Sequence, residues 1–406
     1  MTWDIFCRVI DNHGDLGVSW RLSCQLAARG IAVRLWVDDP SALRWMAPHG
    51  HAGVSVHTWT SPLNLQGITP GEVLVETFGC EVAPEFIAAF AASTRPKAWI
   101  NLEYLSAEPY AQRCHALPSP VMHGPGKGLT KHFFYPGFTL ASGGLLREPD
   151  LTQRQDAFDA PAWLRGLGLT RLLGARLVSL FCYEPPALDT WLTQLQAGPH
   201  TTQLLVTAGR AQAAVNTWLQ TQHPDKRQQL ALDPTEPIPA TPPTPPTPPT
   251  SHTPPSQPTQ LSKASALFDT LRIGQLQLHS LPLLSQTDYD HLLWACDVNF
   301  VRGEDSVVRA LLSRAPFIWH IYPQDDQAHH AKLQAFLDVL SAPSDWRAWH
   351  EVWNGLQQQA LPALDTAVLE RWRASLDAPR QSLWAQPDLA SKLLAFAQER
   401  LAQGLA

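Results

Sequence analysis

The chain has 406 residues, 45% of them hydrophobic and 16% charged, which accommodates two globular domains with large cores and excludes a single small module. Thirty-six acidic residues against thirty basic ones give a formal charge of -6, and this argues against non-specific attachment to a nucleic-acid backbone. With no apolar run of about eighteen residues, no membrane span is expected.

Asp4 and Asp11 stand where a secretory leader needs a basic start and an unbroken apolar stretch, so a cytoplasmic protein is expected. Cys7, Cys24, Cys80, Cys114, Cys182 and Cys296 are widely spaced, without a CxxC pair. They read as reduced, mostly buried small apolar residues.

Residues Asp4 to Ile10 are a predicted strand, Asp11 to Gly14 a polar turn, Val18 to Ala28 a helix and Ile31 to Val37 the next strand, a βαβ unit. Strands are further predicted at Val73 to Val75 and Ala98 to Leu102. After Trp163 a second series begins. It has strands at Leu177 to Tyr183, Gln203 to Thr207, Ile273 to Leu278, Val298 to Phe300 and Pro316 to Ile321. Helices are predicted near Ala187 to Leu195, Tyr289 to Ala295 and Glu304 to Leu312. Short strands each followed by a helix imply parallel sheets covered on both faces, here twin α/β halves facing a cleft.

Between Pro234 and Pro258, twelve of twenty-five residues are proline, including TPPTPPTPPT at Thr241 to Thr250. Such a stretch lacks backbone donors, so an exposed insertion of polyproline II character is predicted, either a passive linker or a docking site for a proline-binding module. The tail from Asp388 to Leu401 has helical apolar spacing. Trp353, Trp372 and Trp384 before it read as packing residues.

Three segments carry polar chemistry at strand-to-helix turns, where open α/β sheets bind ligands. In Asp11-Asn12-His13-Gly14-Asp15, two carboxylates four residues apart can take a proton, orient a guanidinium or bind a metal; equally, Asp15 can cap the helix and Asp11 the turn. In Asn299 to Ser306, Arg302 and the N-H groups of the following helix can receive a diphosphate, with Ser306 adding a hydroxyl. Glu304 and Asp305 would repel that anion unless they turn to a ribose or a cation; alternatively Arg302 pairs with one of them. In Trp319 to Asp326, Tyr322 and Gln324 can meet a ligand, whereas His329 and His330 do not face one direction and make a poor metal pair. Gly124-Pro125-Gly126-Lys127-Gly128 lacks the GKS or GKT of a phosphate loop, and GxGxxG, GxSxG and HExxH are absent.

Four separated segments carry a resemblance: MTWDIFCRVIDNHGDLGVSWRL, WINLEYLSAE at Trp99 to Glu108, KHFFYPGFTLASGGLL at Lys131 to Leu146, and NFVRGEDS followed by FIWHIYPQ. Together they are similar to the bacterial protein-arginine rhamnosyltransferases that modify elongation factor P, over essentially the whole chain outside the proline block. The resemblance implies an inverting glycosyltransferase of GT-B architecture, two Rossmann-like domains facing a central cleft. Residues 1–155 would form the acceptor-binding domain and 156–386 the nucleotide-sugar domain with the insertion at about 234–260. A helix in 387–406 would brace the first domain.

It further implies dTDP-β-L-rhamnose as donor, one arginine of elongation factor P as acceptor, an α-rhamnosyl arginine product, and no metal, membrane or nucleic-acid partner. Asp11 and Asp15 match the family's essential N-terminal aspartates and Glu304 its essential glutamate. Arg302, Asp305 and Ser306 fall in the diphosphate and ribose segment, and Tyr183, Gln286, Tyr289 and Tyr322 match positions around the nucleotide or its sugar. Leu283 departs from the pattern, standing where the family usually carries phenylalanine beside the thymine base.

Overall fold

The computed structural model describes residues 1–10, 14–225, 270–324 and 327–404; the proline block and Asp11 lie outside the described residues. The strands are β1 (Thr2–Cys7), β2 (Ala32–Val37), β3 (Val54–Thr58), β4 (Val73–Thr77), β5 (Ala98–Leu102), β6 (Pro118–Pro120) and β7 (Thr130–Phe134). They continue as β8 (Arg176–Leu180), β9 (Thr202–Val206), β10 (Thr270–Ile273), β11 (Leu276–Ser280), β12 (Val298–Arg302) and β13 (Phe317–His320). They make two sheets, ordered β3-β2-β1-β4-β5-β7-β6 and β10-β11-β9-β8-β12-β13. Every pairing is parallel except β6 with β7 and β10 with β11, both at sheet edges.

Each sheet reverses its winding once. In the first, the chain moves outward from β1 to β3 and then returns to place β4 on the other side of β1; in the second, β12 returns beside β8. At such switch points the loops leaving neighbouring strands part in opposite directions and open a crevice at the carboxyl ends. Asp15 lies beyond β1, and Arg302 closes β12, so both switch points carry predicted site residues.

Apolar side chains on both faces explain why the central strands are almost continuously hydrophobic. The helix Gly14–Ala27 buries Leu16, Leu22 and Leu26 against one face of the first sheet, and Phe86 and Phe90 of the helix Pro84–Ala92 cover the other with Trp36 and Trp59. The helix Leu389–Gln403 returns to the first sheet, where Leu389, Ala390, Leu393 and Ala397 are buried in the same core as β1 and β5. Arg29 Nη2 donates to the Asp388 carboxylate at 2.9 and 3.0 Å and fixes its start. Trp353 and Trp372 are fully buried in the second core, and Arg147 stacks on Trp384.

One predicted element divides. Ile273 to Leu278, read as a single strand, spans the end of β10, a turn at Gly274 and Gln275 and the start of β11; Gly274 takes φ +58, where a Cβ would come within 2.4 Å of the Gln196 carbonyl oxygen. All six cysteines are unbridged thiols. Among the described residues, no helix is long and apolar enough to cross a membrane.

Candidate active site

The cleft between the halves holds a pocket of about 260 Å³. From the first half come Gly14, Gly17 and Arg21 on one helix face, with Trp45 and Met46; from the second come Tyr183, Leu283, Gln286, Tyr289 and the run Arg302 to Ser306. Eight of the predicted residues therefore meet in one wall: Tyr183, Leu283, Gln286, Tyr289, Arg302, Glu304, Asp305 and Ser306. Tyr322 is outside that wall and packs edge-on against the Tyr183 ring, with centroids 5.5 Å apart.

Arg302 is 8% exposed and has no carboxylate partner among the described residues. Its guanidinium carbon sits 4.7 Å from the Phe181 centroid and 4.5 Å from that of Tyr183, and its buried Nε makes no hydrogen bond. Aromatic faces hold a cation without neutralising it. Gly303 follows with φ +75, a conformation that lets the chain turn sharply into the helix Glu304–Leu312, whose first three residues line the pocket. A second arginine, Arg210, opens the helix Arg210–Gln222 on the same pocket, stacks on Tyr183 at 4.9 Å and pairs with Glu184. The arrangement suits a diphosphate: two guanidinium groups and two helix N-termini with tyrosine walls.

The acidic residues beside Arg302 turn away from it. Glu304 Oε1 accepts from Lys332 Nζ at 2.5 Å and its Oε2 from the Leu105 backbone N-H at 2.7 Å, the latter reaching across from the first half. Asp305 accepts from Arg21 Nε and Nη2 at 3.2 and 3.4 Å. The alternative in which Arg302 pairs with one of these acids is therefore not what the fold adopts.

Asp15 is 4% exposed in the first turn of the helix Gly14–Ala27, and its Oδ2 accepts from the Ile10 N-H at a long 3.4 Å. Asp11 lies outside the described residues. Gln286 spans the cleft, its Nε2 donating to the Gly17 carbonyl at 2.8 Å. Tyr289 is half-buried, and enclosure of its hydroxyl pushes the pKa well up, with Asp305 adding to the effect. Leu283 stands 49% exposed on the pocket lip between Pro282 and Leu284.

Sequence reasoning missed the residues that join the halves. Arg21 also donates to Glu148 at 2.9 Å, and Arg309 grips both Glu148 at 2.7 Å and Asp290 at 2.8 and 2.6 Å. Burial raises the Glu148 pKa, but Arg309 and Arg21 more than reverse that and hold it well below the usual carboxylate range. Phe181, beneath Arg302, was missed as well, although its place directly after β8 is the signal that could have found it.

A sequence profile described as Elongation-Factor P (EF-P) rhamnosyltransferase EarP matches residues 3–398. The chain belongs to that family. Protein-arginine rhamnosyltransferases of Pseudomonas putida and Pseudomonas aeruginosa are 39% and 38% identical to it, over 98% and 97% of this chain and 99% and 98% of theirs. A solved structure on the basis for EarP-mediated arginine glycosylation of translation elongation factor EF-P aligns at 28% identity with a TM-score of 0.59. It covers 98% of this chain and 99% of that one. As an EarP-family member the chain is a glycosyltransferase, and its two Rossmann-like halves across a cleft are the GT-B architecture.

Proposed function

We propose that the chain transfers rhamnose from dTDP-β-L-rhamnose to one arginine side chain of EF-P, with inversion at the anomeric carbon to give an α-rhamnosyl arginine. The observation that carries this reading is Arg302, a buried cation held on two aromatic rings at a helix N-terminus, where a diphosphate would supply the missing negative charge. Names of relatives support the acceptor: those named above are protein-arginine rhamnosyltransferases, and the aligned structure concerns EF-P.

Arginine is a poor nucleophile, because its lone pairs are delocalised over a cation with a pKa above about 12. Placement and electrostatics therefore come before proton transfer. Asp11 and Asp15 clamp the guanidinium and aim one terminal nitrogen at the anomeric carbon, opposite the leaving diphosphate. Inversion follows from attack on that face. Asp15 takes the proton as the nitrogen attacks and positive charge builds on the sugar ring.

Arg302, Arg210 and the helix N-termini receive the charge that departs with dTDP, chemistry that needs no divalent metal. Tyr183, Tyr289 and Leu283 enclose the nucleotide, Gln286, Asp305 and Ser306 bond its polar groups, and Tyr322 supports Tyr183 from behind. Glu304 keeps lone pairs beyond the two bonds it already accepts, and with them it holds ribose or sugar hydroxyls. The enzyme works in the cytoplasm with its acceptor and requires neither membrane nor nucleic acid.

The test is incubation of the protein with dTDP-rhamnose and purified EF-P in the presence of EDTA, read by intact mass. One added deoxyhexose is expected, and it should be lost in Asp15→Asn with dTDP binding retained. No addition by the wild type, or near-normal turnover in Asp15→Asn, would sink the reading.

A further inference from the structure

Phe78 and Tyr104 leave the carboxyl ends of β4 and β5, beside the switch point from which the Asp15 helix departs. Thr77, next to Phe78, ties this edge to that helix: its Oγ1 is 3.3 Å from Ser19 Oγ, which in turn donates to the Asp15 carbonyl at 2.8 Å. Phe78 takes φ +58, a left-handed conformation that a bulky side chain disfavours, and Gly79 continues it at φ +67. The turn lays the Phe78 ring on Tyr104, with centroids 4.5 Å apart and planes 16° from parallel. Tyr104 nevertheless stays 39% exposed, one residue before Leu105, whose N-H reaches Glu304 of the other half.

A cation is already drawn to this place. Lys332 Nζ lies 5.8 Å from the Tyr104 centroid while pairing with Glu304 Oε1 at 2.5 Å, and Glu304 Oε2 is fastened to the Leu105 N-H next to Tyr104. Aromatic face and carboxylate thus converge on one positive charge, and Glu304 also lines the donor pocket. A planar guanidinium stacks on such a ring more completely than a compact ammonium does.

Resting on the reading above, we propose that Tyr104, backed by Phe78, is the seat of the acceptor guanidinium, and that Lys332 occupies it until the acceptor arrives. The ring fixes the plane of the guanidinium and the carboxylates fix its direction. Backbone strain at Phe78 is the cost of holding that ring flat. On arrival the acceptor displaces the Lys332 ammonium, which exchanges one ion pair with Glu304 for hydration while the guanidinium replaces it.

The test is steady-state transfer by the full chain at saturating dTDP-rhamnose with EF-P varied, alongside calorimetric dTDP affinity. Tyr104→Leu should raise the KM for EF-P by about 3- to 30-fold, with dTDP affinity unchanged, and Tyr104→Phe should restore it. Lys332→Met should lower that KM. An unchanged KM in Tyr104→Leu, a parallel loss of dTDP affinity, or a raised KM in Lys332→Met overturns the proposal. If the wild type transfers nothing to EF-P, the functional reading is what fails; the seat is then decided by N-acetylarginine amide titrated into wild type and Tyr104→Leu, whose equal affinity overturns it and whose weaker binding in the variant supports it.

Discussion

Arg21, carried by the first half of the chain, donates to both carboxylate oxygens of Asp305 in the second half at 3.2 and 3.4 Å. The two residues stand on helices whose first turns hold Asp15 and Glu304, so this contact sets the distance between acidic groups that come from different sheets. Glu148, Asp290 and Arg309 extend it into a largely buried charge cluster, with Arg154 flanking Glu148 at 3.2 Å.

Truncating Arg21 leaves Asp305 without its partner, Asp290 with Arg309 alone, and Glu148 with Arg309 and the more exposed Arg154. Breaking a buried pair from one side costs about 3–5 kcal/mol, because the remaining charge stays desolvated and uncompensated. Arg21→Met should therefore lower the unfolding free energy by about that amount in urea titrations. It should also reduce kcat, since Asp15 and Glu304 lose their common brace. A stability equal to wild type would show that the halves are held by apolar contacts and Gln286 rather than by this cluster.

The contrast between Arg302 and Arg21 shows what the sequence exposes and what it hides. Arg302 was legible because it closes a strand and is followed by a glycine turn into a helix, whose N-terminus a nucleotide pocket uses. Arg21 lies mid-helix, with nothing local to distinguish it from a solvated residue, and its partners at positions 148, 290 and 305 are brought together only by folding. Central strands were readable for a similar reason: burial on both faces leaves a dense apolar signature, and Ala98–Leu102 and Glu304–Leu312 match their predicted bounds. Edge strands β3, β6 and β10 carry half-exposed or proline-containing sequences that periodicity does not separate from loops. Phe78 needed the structure outright, since a positive φ at a phenylalanine has no sequence signal.

Removal of the Arg302 charge should weaken nucleotide binding more than it disturbs the fold, because the cation has no carboxylate to leave behind among the described residues. A charge-assisted bond contributes about 1.5–3 kcal/mol, so Arg302→Gln should weaken dTDP binding by about 10- to 100-fold by calorimetry. The KM for EF-P should change little. Equal dTDP affinity in the variant would assign the diphosphate to Arg210 instead.

His350 gives the enzyme an acid-sensitive core. It is fully buried, its Nδ1 is 3.0 Å from the Trp346 carbonyl oxygen, and its Nε2 accepts from the Trp319 N-H at 3.0 Å, so both nitrogens are used by the neutral ring. Burial pushes its pKa from 6.5 down to about 4. Between those values the unfolded chain binds a proton that the folded one refuses, so stability is full above about pH 6.5 and falls by about 1.4 kcal/mol per pH unit below it. Urea midpoints measured at pH 7, 6 and 5 should decline accordingly. His350→Gln, whose amide can donate to Trp346 and accept from Trp319 without titrating, should make that decline shallower; an identical decline would place the acid sensitivity elsewhere, for example at His320, lowered to about 3 by its own burial.

Leu283 offers a gain rather than a loss. It projects from the pocket lip at 49% exposure, between Pro282 and Leu284, so a larger side chain meets open space at that edge. In the proposed complex it lies beside the thymine ring, which a leucine covers by dispersion alone. A phenylalanine adds offset stacking worth about 0.5–1.5 kcal/mol beyond area, so Leu283→Phe should tighten dTDP binding by about 2- to 10-fold. Because the base is far from the bond being broken, that gain is shared by ground and transition states: the donor KM should fall while kcat holds. Unchanged affinity for dTDP, or an equal gain for free inorganic pyrophosphate, which has no base, would remove Leu283 from the thymine contact.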